Sequence, residues 1–234
     1  MPHRQPTILW SLLGSPNCPS DQLKWLHIPF IEITHLDHQV TLRNIQVAQS
    51  VVVTSTNAVP ALKPYANALA SLPIVAVGPA TARALGQLGC ENVSVPQRHD
   101  TQGVINLLEA APPEQPVLFP RGNLGGATLL KYFQSAAIRH FSLMVYETRP
   151  RGIGDLRQQL EQVGHPDFIV LGSPSAVAVW QELAVAISPA PRIAAIGPVT
   201  ALACKRAGLD VELTGNGDAD LLVGDLMARY GAVA

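Results

Sequence analysis

The feature that most restricts the fold is an internal repeat: residues 51 to 108 and 169 to 226 read as two copies of one α/β unit. In the first copy the β-branched run Ser50-Val51-Val52-Val53 leads into Thr54-Ser55-Thr56-Asn57-Ala58-Val59. In the second, Phe168-Ile169-Val170-Leu171 leads into Gly172-Ser173-Pro174-Ser175-Ala176-Val177. A short apolar run ending in Ser and small residues predicts a buried parallel strand followed by a helix start. The next block keeps the alignment, with Ile74 to Ala82 matching Ile193 to Ala201 and Gly78-Pro79 matching Gly197-Pro198. Each copy then carries a helix to a C-cap glycine, Gly89 or Gly208, a short strand at Asn92 to Val95 or Asp210 to Leu213, an acid-led loop and an apolar helix. Such strand, helix, strand, helix segments with short connections predict open parallel sheets covered by helices on both faces.

A fainter repeat flanks these copies. Thr7 to Trp10, with a strand expected near Ile28 to Thr34, is similar to Val117 to Pro120 followed by the strand Phe141 to Glu147. The order is unit A, unit B, unit A, unit B. Periodicity does not tell which A packs with which B, so tandem domains meeting near Pro112-Pro113 and an interleaved arrangement both stand at this point.

At 234 residues the chain is long enough for two small domains with their own cores. With 47% hydrophobic and 14% charged residues it is globular rather than disordered, and a net charge of -1 excludes a general nucleic-acid binder. Cys18, Cys90 and Cys204 are far apart and form no Cys-x-x-Cys pair, so neither a disulfide framework nor a zinc site is indicated and a cytoplasmic location is expected. No apolar run reaches membrane-spanning length, and Met1 to Thr7 lacks the apolar core of a signal peptide. Of the seven histidines only His35 and His38 lie close in sequence, which reads as a solvated loop rather than a metal site.

Ligands of open α/β sheets bind beyond the C-terminal strand ends, where following helices present free N–H groups. Ser55, Asn57, Gly78 and Thr81 of the first copy, and Ser173, Ser175, Gly197 and Thr200 of the second, fall there. Helix capping alone is the plainer reading of these Ser and Thr residues. Arg121-Gly122-Asn123-Leu124-Gly125-Gly126 reads as a glycine-rich turn with a cation, suited to a carboxylate or phosphate. It lacks the Gly-Lys-[Ser/Thr] ending of a P-loop and the dinucleotide spacing, and a βα turn that needs positive φ is the alternative. Gly172-Ser173-Pro174-Ser175 is not a nucleophile elbow. Val145-Tyr146-Glu147-Thr148-Arg149-Pro150 delivers a tyrosine and an arginine to a connector, or simply buries a strand tyrosine.

Taken together, Thr54-Ser55 with Asn57-Ala58-Val59, Val77-Gly78 with Thr81-Ala82, Pro120-Arg121-Gly122, Val145 to Thr148, Ser173 to Val177 and Ile196-Gly197 with Thr200-Ala201 resemble the uroporphyrinogen-III synthase family. The resemblance covers nearly all of the chain after about residue 28. It implies two similar flavodoxin-like open parallel-sheet domains, one discontinuous at 1–30 and 150–234, the other inserted at 36–144, joined by a two-stranded hinge near 31–35 and 145–149. It implies a cofactor-independent hydro-lyase of haem, sirohaem, chlorophyll or cobalamin biosynthesis that closes hydroxymethylbilane to uroporphyrinogen III with inversion of ring D. By that resemblance the enzyme is a cytoplasmic monomer taking its substrate from hydroxymethylbilane synthase, without nucleic-acid or membrane partners. Tyr146 becomes the catalytic candidate, and Ser55, Asn57, Gly78, Thr81, Arg121, Gly122, Ser173, Ser175, Gly197 and Thr200 the substrate-binding ones. The sequence departs from the family where the first strand commonly ends in Thr-Arg-Pro: here Trp10 runs into Ser11-Leu12-Leu13-Gly14. A bilobal tetrapyrrole-binding module without catalysis is the alternative, and a nucleotide-binding enzyme using the Arg121 loop is a third reading.

Overall fold

A computed structural model describes residues 5–17, 22–36, 40–184 and 189–231, so Cys18 and His38 lie outside the described residues. The chain forms two compact units, unit 1 from Met1–Glu32 with Arg149–Ala234 and unit 2 from Ile33–Thr148.

The chain begins with β1 (Thr7–Trp10), β2 (Lys24–His27) and β3 (Ile31–His35). The single strand expected near Ile28 to Thr34 is therefore broken. Pro29 has no N–H for a ladder, and Phe30 turns its side chain fully inward, where it stacks on Trp180 at 6.1 Å. Then come α1 (Leu42–Val47), β4 (Ser50–Val53), a 3₁₀ helix (Thr56–Tyr65), α2 (Ala66–Leu69), β5 (Ile74–Ala76), α3 (Pro79–Gly86), β6 (Val93–Ser94), α4 (Thr101–Ala110), β7 (Val117–Gly122) and α5 (Ala127–Ser135). The remainder is β8 (His140–Pro150), α6 (Ile153–Val163), β9 (Phe168–Leu171), α7 (Pro174–Ala184), β10 (Arg192–Ala195), α8 (Pro198–Arg206), β11 (Val211–Thr214) and α9 (Ala219–Tyr230). The helix start expected after Ser55 is a tighter 3₁₀ segment. Pro60 and Pro64 within it cannot donate the N–H groups that an α-helix would need there.

Unit 1 holds a sheet in the order β11-β10-β9-β1-β2, with parallel pairing throughout. In unit 2 the order is β3-β8-β7-β4-β5-β6, parallel from β8 to β6. β1 pairs with β9 and β7 with β4, so the first A segment packs with the second B, and the two middle segments pack together. The mixed α/β architecture with mainly parallel sheets is the class read from the repeat.

Buried strands are apolar on both faces because helices cover both. In unit 2 Val51 and Val53 face a core with Leu62, Leu69 and Leu85, while Val52 faces the other with Val104, Phe119 and Phe133. In unit 1 Ile169 and Leu171 pack on Trp180 and Leu183, and Phe168 and Val170 on Leu222 and Leu226. Gly89 and Gly208 end their helices in the left-handed region, at φ 85° and 71°. The N–H of the next residue returns to Leu85 or Cys204, which is why glycine recurs at both places.

Candidate functional site

In each sheet the strand order reverses at one place, between β4 and β7 in unit 2 and between β9 and β1 in unit 1. Helices leave to opposite sides there, which opens a crevice at the C-terminal strand ends. In unit 2 that place is flanked by Ser55, after β4, and by Arg121 and Gly122, the last residues of β7. Arg121 and Gly122 belong to the strand rather than to the turn expected for them.

Arg121 is held on two sides. Its Nε donates to Ser142 Oγ at 2.9 Å and its Nη1 to the Gly122 carbonyl at 3.0 Å, while the remaining guanidinium N–H groups bond no described residue. Gly126 has φ 95°, and a β-carbon there would come within 2.8 Å of Arg121 Cδ, so glycine leaves the arginine its path. The β7–β8 register shifts between Arg121 and Gly122, pairing Arg121 with Met144 and Gly122 with Tyr146. Such a bulge re-aims the side chains that follow it. Tyr146 is 9% exposed, and its ring lies over Gly122, where a β-carbon would meet Cε2 and Cζ at 2.5 Å. No described residue bonds its hydroxyl. Gly122 therefore seats the tyrosine.

Ser55 is a helix cap: its Oγ accepts the Asn57 N–H at 3.2 Å. Ser173 accepts the Ala176 N–H at 3.2 Å and shares a hydrogen bond with Ser175 Oγ at 3.0 Å. Capping is thus what these serines do in the fold. It occupies a lone pair, and the Ser55 O–H stays able to donate to a ligand oxygen.

The glycine-proline starts also repeat. Gly78 and Gly197 are extended N-caps, each followed by proline at the first helical position. The loop before the acid-capped helix crosses each of them: a β-carbon on Gly78 would meet His99 Cβ at 3.3 Å, and one on Gly197 the Gly217 N at 3.1 Å. Thr81 and Thr200, one turn on, are only 3% exposed, so little of either reaches the rim on which they were expected. The crossing loop in unit 2 is fixed by Asp100, whose Oδ1 accepts the Gly103 N–H at 2.9 Å. Burial opposes its charge, but the Gly103 N–H, Arg98 and the Gln102 N–H outweigh that and hold the carboxyl below its usual range.

The corresponding place in unit 1 is built differently. Ser11 follows β1 where Arg121 follows Pro120, and it is 1% exposed with Oγ donating to Val170 O at 2.6 Å. Leu12 lies on Gly172, whose β-carbon would meet Leu12 Cγ at 2.5 Å. The turn is pinned by Trp10 Nε1 donating to Gly14 O at 2.7 Å and by His27 Nε2 against Leu12 O at 2.8 Å. Here Leu12 and the buried Ser11 stand where unit 2 carries a cation and a phenol.

Sequence reasoning missed Ser142, Asn123 and Leu12. Asn123 was in view only as part of a glycine-rich turn. Its Oδ1 accepts the Thr148 N–H at 2.9 Å and its Nδ2 donates to Thr148 O at 3.2 Å, so it continues the β7–β8 ladder beyond the bulge. A surface hollow of about 220 Å³ beside Ser50, Ile74 and Pro113 opens where β4 and β5 begin, the opposite end of the strands from this rim.

Comparison with known proteins bears on this arrangement. A uroporphyrinogen-III synthase HemD family model matches residues 19–216. The uroporphyrinogen-III synthetase of Helicobacter pylori is 16% identical with TM-score 0.70, covering 96% of this chain and 99% of that one. A mutant uroporphyrinogen III synthase of the extremely thermophilic bacterium Thermus thermophilus is 18% identical with TM-score 0.65, covering 95% and 98%. At such identities the structures establish the fold, and the family model covers most of the chain. The chain belongs to the uroporphyrinogen-III synthase family.

Proposed function

We propose that this protein converts hydroxymethylbilane to uroporphyrinogen III, closing the linear tetrapyrrole with inversion of ring D and loss of water. The observation that carries this reading is the rim of unit 2. A half-tethered arginine and a phenol seated on Gly122 flank the same strand pair, with the capped Ser55 on the neighbouring strand.

The substrate is a flexible polycarboxylate whose two ends must meet, so holding its conformation is the larger part of the task. Arg121 takes an acidic side chain of the substrate through its unused N–H groups, the charge-assisted pairing that guanidinium geometry favours. Ser55 with the Asn57 turn, and the helix starts at Gly78 and Thr81, add donors in unit 2. Thr81, being enclosed, acts chiefly by shaping its helix start.

Tyr146 donates its phenolic proton to the departing hydroxyl, which leaves as water. The remaining azafulvene cation is attacked by ring D at its substituted carbon, giving a spiro intermediate that opens and recloses with the ring inverted. The proton lost as the new pyrrole regains aromaticity returns to the phenolate, so the enzyme ends as it began. Because the pyrrole itself stabilises the cation, the acid supplies only part of the rate.

The test supplies hydroxymethylbilane generated in situ and separates the products by isomer. Uroporphyrinogen III is expected. Formation of isomer I alone, as in unassisted closure, refutes the proposal.

A further inference from the structure

The Tyr146 ring belongs to the apolar core of unit 2 that also holds Val51, Val53 and Leu62, and no described residue bonds its hydroxyl, so packing and the register of β8 set where the phenol points. The seat on Gly122 limits approach from one side only. The backbone of β8 has slipped by one residue at this point, and the pairing with β7 ends at Gly122 opposite Tyr146, while β3 lies along the other edge of β8. Two residues past Tyr146 the Asn123 side chain restores the pairing. It offers Thr148 both an acceptor and a donor, as a peptide group of a neighbouring strand would. An amide is suited to this because it carries a carbonyl and an NH₂ side by side. Asn123 is also joined directly to Gly122, so one short segment holds the Tyr146 ring from below and the strand that carries it from beside.

Resting on the function proposed above, we infer that Asn123 is a positioning residue for catalysis, acting through Tyr146. Its side chain clamps Thr148 and thereby holds the bulged segment Tyr146 to Thr148 in the register that presents the phenol. It touches no reacting atom. Removing the clamp lets the segment relax toward a regular ladder or fray, either of which moves the hydroxyl. Displacements of about 1 Å cost catalysis as much as a hundredfold.

The experiment compares wild type, Asn123→Ala, Asn123→Asp, Tyr146→Phe and Asn123→Ala with Tyr146→Phe. Asn123→Asp keeps the shape and an acceptor for the Thr148 N–H but offers no donor to its carbonyl, and it stands in should the alanine variant fail to fold. Expected is a fall in kcat of about tenfold or more with KM within about twofold, together with faster hydrogen exchange of the Thr148 amide and a shifted Tyr146 ring resonance in tyrosine-labelled protein. In the Tyr146→Phe background the Asn123 substitution should lower kcat no further, because its route of action is already gone. Losses that multiply in the double variant overturn the inference, and so does normal turnover in both single Asn123 variants, or a ring resonance that does not move. Those results leave the proposed function standing when wild type makes isomer III. A wild type that makes isomer I alone refutes the function and the positioning role with it.

Discussion

The ring of Tyr146 lies over the α-carbon of Gly122, so close that any β-carbon at 122 would sit 2.5 Å from its Cε2 and Cζ. Glycine is needed at 122 for space, since its φ is not in the left-handed region. The Gly122→Ala variant is expected to push the ring out of its seat at a cost of about 1–3 kcal/mol, the range for overpacking. Turnover should fall more than thermal stability does. Thermal unfolding and the isomer assay on one preparation check this, and wild-type turnover would show that the seat is irrelevant to the chemistry.

Tyr146→Phe removes only the hydroxyl and leaves the packing in place. Turnover should drop while the melting temperature stays within a few degrees of wild type. Thr81→Ala is expected to act chiefly on stability, because Thr81 is 3% exposed and contributes to the core beside the start of α3. It should lose about 1 kcal/mol of stability and lower the rate less than Tyr146→Phe does. Equal rate losses in the two would remove Tyr146 from the mechanism.

Asp100 links stability to pH. Its carboxyl is held below the usual range in the folded chain, so its contribution is complete above the pKa of the unfolded carboxylate and fades as pH falls through the folded value. Asn at this place can still cap α4 but carries no charge. The difference in stability between wild type and Asp100→Asn should therefore shrink as pH falls below about 5, through the unfolded value of about 3.9 and on through the lower folded one. The effect is modest, since the side chain is 38% exposed. A difference that stays constant across that window would mean that the cap alone matters.

Arg192 spans two aromatic rings at the far end of the unit 1 sheet, with its guanidinium carbon 3.8 Å from the Phe168 centroid and 4.8 Å from that of Tyr230. Its ion pair with Glu212, at 3.4 Å, is half exposed and adds little. Arg192→Ala should cost about 1–2 kcal/mol, mainly through stacking and covered ring area, and Arg192→Lys should recover only part of it. Chemical denaturation measures the order. Because the cluster sits where β9 and β10 begin, catalysis should be unchanged in both.

Cys90 and Cys204 are buried free thiols, and burial pushes both thiols up from their usual pKa. A thiolate-directed reagent at neutral pH should modify neither in the native protein and both after denaturation. Mass mapping of the labelled positions checks this. Native labelling of either would report local opening of the turn after α3, at Cys90, or of α8, at Cys204.

Most of the architecture was legible because it rests on local rules. Apolar runs of four residues, prolines after glycine, acids before apolar helices and glycines at helix ends each have a short-range physical cause, and the repeat states them twice. Less of the candidate site was legible. Ser55 and Ser173 were placed at the right strand ends, but only the hydrogen bonds show them capping. Thr81 and Thr200 were placed in the right turns, yet the sequence carries no sign that each is only 3% exposed.

The sequence by itself determined the elements and the equivalence of the two copies, since both follow from periodicity and from residues with special backbone needs. Which copy of A lies beside which copy of B was decided only by the tertiary structure, because β1 with β9 and β7 with β4 are pairings over long separations that leave no local trace. The same holds for the difference between the rims. Arg121-Gly122 in one unit stands out in the sequence as a cation in a glycine-rich turn and Ser11-Leu12 in the other as a departure from Thr-Arg-Pro, but nothing local shows how either is packed. A one-residue register shift sets Tyr146 opposite Gly122 in one unit, and in the other Leu12 lies on Gly172.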